Sequence, residues 1–132
     1  MRTTVVRAGL VLLMAILGAS GTSSQSVRLK QVMQVKLQHA QGILGDVVRS
    51  DWSSLEANAA ALQQTTLDPA WAVLTTPEYI RHTMIFTRAA EDLRDAAVRR
   101  DLEAAPLAYI SLTLSCVQCH RYVARMRIAG RR

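Results

Sequence analysis

The stretch YISLTLSCVQCHRYVARM, residues 109–126, decides how the rest of the chain is read. Tyr109, Leu112, Cys116, Cys119, Val123 and Met126 recur at intervals of three and four residues. That spacing places all six on one face of an α-helix, the face that packs against partner helices. The periodicity predicts a long C-terminal helix whose two cysteines point inward. The stretch has no apolar/polar alternation of the kind a strand requires.

Within it lies Cys116-Val117-Gln118-Cys119-His120. This C-x-x-C-H pattern is the attachment spacing of a c-type haem. The two thiols add to the vinyl groups of the macrocycle, and the adjacent imidazole becomes an axial ligand of the iron. On a helix all three side chains project to one side, as the chemistry requires. Three other uses of these residues exist. A thioredoxin-like redox pair expects a preceding strand in a βαβ setting. A structural zinc needs a fourth ligand beyond Cys116, Cys119 and His120, and His39 and His82 are not closely spaced to the motif. A disulfide between cysteines three apart on a helix has poor geometry. The context favours one covalent haem c, which uses both cysteines of the chain.

Working outward, three further helical segments precede this one. Thr76 and Pro77 are start signals, a cap and a first-turn proline. They open a helix to about Arg99, with Tyr79, Thr83, Phe86, Ala90, Leu93 and Ala97 on its seam. Ser50-Asp51 starts a shorter helix over Trp52–Thr65, with Trp52, Leu55, Ala59 and Leu62 in line, and residues 66–75 connect the two. The first helix spans about Ser26–Val48, with Met33, Leu37, Ala40, Leu44 and Val47 as its expected seam. Gly42 and Gly45 weaken it by up to about 1 kcal/mol each relative to alanine. Asp101 caps the last helix, and Pro106 sits in or near its first turn. Short connections predict an all-α, up-down-up-down antiparallel four-helix bundle, with the haem bound by its C-terminal helix.

The N-terminus reads as a targeting segment. Arg2 and Arg7 precede the apolar run Ala8–Leu17, and a small polar stretch follows. This is the order of a cleaved signal peptide, residues 1–21, leaving one domain over residues 22–132. The apolar run is shorter than the roughly 20 residues a membrane span needs. The expected location is periplasmic or otherwise extracytoplasmic, with no stable membrane span. Loss of Arg2 and Arg7 takes the formal charge from +6 to +4. Arg121, Arg125, Arg127, Arg131 and Arg132 concentrate basic charge at the end of the chain. They form a solvated tail or a contact for haem carboxylates or an acidic redox partner. The cluster lacks interleaved aromatics, which argues against nucleic acid.

A helical bundle carrying C-x-x-C-H in its last helix resembles the cytochrome c′ class, together with its low-spin relatives whose iron has both a His and a Met ligand. The resemblance rests on Cys116, Cys119, His120 and a methionine on the first helix, Met33. It implies His120 as the proximal ligand and Met33 as the candidate distal ligand, unless Met33 only fills the core. It also allows a homodimer. The chain departs from the class after the motif. An aromatic and a basic residue are common three and four places after the histidine, and here these are Val123 and Ala124, flanked by Tyr122 and Arg125.

The remaining candidates are weaker. Met126 is on the same helix as His120 and cannot reach the opposite face of a macrocycle, and Met84 is expected in the core. His39 stands off the first seam, and His82 shares a face with Tyr79 and Phe86. Arg28 and Lys30 are expected at a solvated helix end or beside haem carboxylates. The leading expectation is a monohaem one-electron carrier serving redox partner proteins. The alternative is a five-coordinate protein that binds or senses NO or CO. A peroxidase is a weaker third reading, since no distal acid–base pair is evident.

Overall fold

The computed structural model describes residues 21–130 and, among these, is entirely helical. The expected leader, residues 1–21, lies outside the described residues except for Gly21. Four α-helices follow one another: α1 (Gly21–Arg49), α2 (Trp52–Thr65), α3 (Pro77–Arg99) and α4 (Ala104–Ala129). A single 3₁₀ turn, Pro69–Trp71, interrupts the connection between α2 and α3. This is the helical content of a four-helix bundle. No helix among the described residues is long and apolar enough to cross a membrane.

Side-chain caps set the helix boundaries. The Asp51 carboxylate accepts the Ser54 N–H at the start of α2, and Thr76 Oγ1 accepts the Tyr79 N–H at the start of α3. At α4 the Asp101 carboxylate accepts the N–H groups of Glu103 and Ala104 at 3.1 and 2.9 Å. Pro106 falls inside that first turn, where its missing N–H leaves no helical bond unmade. Helices α1 and α3 end alike. Ser50 (φ 54°) and Arg100 (φ 53°) are left-handed. In each case the following aspartate N–H reaches back to a helix carbonyl, Asp51 to Asp46 and Asp101 to Ala96, both at 2.9 Å.

The core runs through Leu55, Ala59 and Leu62 of α2, Tyr79, Phe86, Ala90, Leu93 and Ala97 of α3, and Ala108 and Leu112 of α4. The expected stripes of α2 and α3 are thus the packed ones, and Thr83 is half-buried where its Oγ1 accepts the Trp71 Nε1–H at 3.0 Å. Met126 ends the α4 seam exposed, and Met84 is exposed rather than in the core.

The α1 seam is corrected by the structure. Leu37 and Leu44 face solvent, while Val32, Lys36, Ile43 and Asp46 are buried. Polar groups hold part of this inner face. Asn58 Nδ2 on α2 donates to Asp46 Oδ2 at 2.7 Å, and Asn58 Oδ1 meets His39 Nδ1 at 2.9 Å. Gly42 makes room for that amide, since a Cβ there would stand 3.0 Å from Asn58 Nδ2. His39 is therefore an inter-helix tether.

Candidate functional site

Consecutive helices pack against one another along much of their length, whereas α1 and α4 meet at few residues. Between them a cavity of about 290 Å³ opens to solvent. Its α4 wall is Cys119, His120, Val123, Ala124 and Arg127, and its α1 wall is Leu29, Met33 and Lys36. Trp71, Val73 and Tyr79 complete it. Larger surface grooves exist, one of about 900 Å³ along Ser24–Gln31 and Pro69–Ala70, but none of Cys116, Cys119 and His120 lines them.

The cavity therefore gathers three of the four residues singled out from the sequence: Cys119, His120 and Met33. Cys116 is half-buried against the core on the same helix and does not line the cavity. Neither cysteine is in a disulfide. Among the described residues no three His, Cys, Asp or Glu side chains converge as a metal-ion group. His39 and His82, weighed as a fourth zinc ligand, are elsewhere, His39 against α2 and His82 beside Tyr122 of α4.

Electrostatics at the site favour a neutral imidazole and a protonated thiol. His120 is exposed at the cavity mouth, where partial desolvation holds it below the usual histidine range and the charge of Lys36 acts in the same direction. Burial pushes the Cys119 thiol up, and Lys36 opposes that shift. A neutral imidazole is the form that ligates a metal. Tyr79 is pushed up to about 12, by burial first and by the Cys119 thiolate second, with the Val73 backbone opposing. Its hydroxyl donates to the Trp71 carbonyl and so ties α3 to the 3₁₀ turn. Trp71 in turn stacks on Phe86, with ring centroids 5.4 Å apart.

Lys36 escapes a reading of the sequence alone. It is only 5% exposed, and its Nζ lies 4.0 Å from the Phe86 ring centroid and 4.9 Å from that of Trp71. No Asp or Glu lines the cavity, while Lys36 and Arg127 both do. The remaining candidates have other partners. Arg28 forms a two-point bridge to Asp68 at 3.1 and 3.2 Å. His82 is buried, with Nε2 3.4 Å from Glu78 and its ring 5.5 Å from that of Tyr122. The Tyr122 hydroxyl is 2.6 Å from Thr76 Oγ1. Lys30, Arg121 and Arg125 are exposed, and Arg131 and Arg132 lie outside the described residues.

No family model, no curated protein and no solved structure matches the chain.

Proposed function

We propose that the cavity between α1 and α4 holds one haem c and that the protein is an extracytoplasmic one-electron carrier. The observation that carries the reading is the composition of the cavity wall. It combines the second thiol and the histidine of C-x-x-C-H with apolar and aromatic side chains, two cations and no carboxylate. A tetrapyrrole is flat, apolar and dianionic, and it asks for such a lining. At about 290 Å³ the cavity falls just below the usual ligand-pocket volumes of about 300–1,000 Å³. A macrocycle would thus keep one edge at the surface, where electrons exchange.

When bound, the haem supplies the one-electron change of its iron. The chain supplies the rest. Cys119 on the cavity wall and Cys116 one turn before it on α4 would anchor the group, and His120, held neutral, would supply a nitrogen to its iron. Met33 on the α1 wall would offer a thioether as a second ligand, a pairing that favours the reduced iron. Leu29, Val73 and Val123 exclude water, and Arg127 faces the group from the last turns of α4. The up-down-up-down course of the helices belongs to the same proposal. It rests on the tight turns at Ser50 and Arg100 and on the early turns of α1 facing the late turns of α4.

Absorption spectra of both oxidation states, after expression in a host that attaches c-type haem, test the reading. A covalent haem with a low-spin spectrum that Met33→Ala turns high-spin is the expected result. A high-spin wild type that binds CO rapidly would replace the carrier with a gas-binding protein. Absence of covalent haem would overturn the site itself.

A further inference from the structure

Lys36 is an ammonium group inside the bundle with aromatic faces around it and no acid beside it. A buried charge is costly unless something compensates it. Two ring contacts return part of that cost. Among the described residues no carboxylate lies within salt-bridge distance of Nζ, and none lines the cavity. Lys36 lines the same cavity as Cys119 and His120, and its charge acts on both.

We propose that Lys36 is a built-in field charge that raises the reduction potential of the group held at Cys119 and His120. The inference rests on the haem reading above and adds to it a residue that tunes the site without ligating the iron. Reduction removes one positive charge from the iron. A fixed positive charge in a low-dielectric wall therefore stabilises the reduced state over the oxidised one. Because the ammonium is shielded from water, added salt screens it far less than it screens the exposed arginines of α4.

The test is a potentiometric titration of the holoprotein, with absorption spectra, for the wild type, Lys36→Met, Lys36→Gln and Lys36→Arg. Lys36→Met and Lys36→Gln are expected to shift the midpoint to lower potential with the spectrum unchanged, and the shift should persist at high salt. Lys36→Arg is expected to stay close to wild type. Lys36→Gln serves as the neutral variant should Lys36→Met fail to accumulate. Wild-type potential in either neutral variant overturns the proposal. So does a change of spin state, which would make Lys36 a ligand. A wild type without covalent haem removes the site reading as well. A haem-bearing wild type whose potential ignores Lys36 removes only this inference.

Discussion

Tyr79 shows how one side chain ties the site to stability. The residue is 4% exposed, and its hydroxyl is already bonded to the Trp71 carbonyl. Ionisation in the folded state is pushed up to about 12 from an ordinary 10. The unfolded chain thus releases this proton first, and stability is lost as pH rises from about 10 towards 12. In alkaline titration of the haem-free chain followed by circular dichroism, Tyr79→Phe should flatten that loss while costing about 1 kcal/mol at neutral pH. Asp46 makes a second prediction. It is 2% exposed and accepts from Asn58 at 2.7 Å, whereas its partner Arg49 is mostly in water and adds little. Asp46→Ala should cost about 2–3 kcal/mol, read as a lower urea midpoint at unchanged slope. At this scale the placement of Cys119, His120 and Met33 was legible from the sequence, because motif spacing and helical period project them from two helices into one space. Lys36 was not. A lysine at helical period reads as a solvated face, and only the aromatic pair Trp71 and Phe86, both far along the chain, makes an inward position tolerable.

Among the elements, α2 and α3 were legible to the residue because each begins at a capping side chain and carries one apolar stripe. Helix α1 was not, because it has apolar residues on two faces. Leu37, Leu44 and Val48 point outward, while Lys36 and Asp46 occupy inward positions, so the strongest apolar repeat marks the wrong side. Helix α4 has a similar excess, with Leu107, Ile110, Leu114 and Val117 exposed opposite its core face. Of its expected stripe only Leu112 is buried, beside Ala105, Ala108 and Ser115, while Tyr109, Cys116, Cys119 and Val123 flank that stripe half-buried. The turns after α1 and α3 share one construction, a non-glycine left-handed residue followed by a capping aspartate. A side chain in that conformation costs roughly 1–2 kcal/mol relative to the right-handed region, and glycine escapes most of it. Ser50→Gly and Arg100→Gly should therefore each stabilise the protein by up to about 1 kcal/mol, and the two effects should add, since the turns belong to separate helix pairs. Thermal melts of the single and double variants check both the sign and the additivity.

At the scale of the whole molecule, α1 is held less than α3. Among its described apolar side chains only Val32 and Ile43 are buried, whereas α3 contributes Phe86, Leu93 and a row of alanines. Its later half is tied to α2 through Asp46, Asn58 and His39. Its earlier half rests on the Arg28–Asp68 bridge and on Lys36 against the aromatic pair, with the cavity where α4 would otherwise pack. A macrocycle in that cavity would add apolar contact to Leu29 and Met33 on one side and Val123 on the other, the seam the chain leaves thin. Burial of that kind contributes at about 25 cal/mol per Å², and in a domain this size each kcal/mol moves the melting temperature by roughly 4–8 °C. If the cavity holds the proposed haem, replacing both thiols, Cys116→Ala with Cys119→Ala, should lower the melting temperature by about 10 °C or more relative to the wild type produced in a host that attaches c-type haem. The loss should also be local. Amide hydrogen exchange is expected to quicken first in the Leu29–Met33 turns of α1, while the α3 and α4 amides around Ala90, Leu93 and Leu112 keep their protection, because their packing does not depend on what fills the cavity. Uniform acceleration across all four helices would show that the group stabilises the bundle from some other place than the α1–α4 seam.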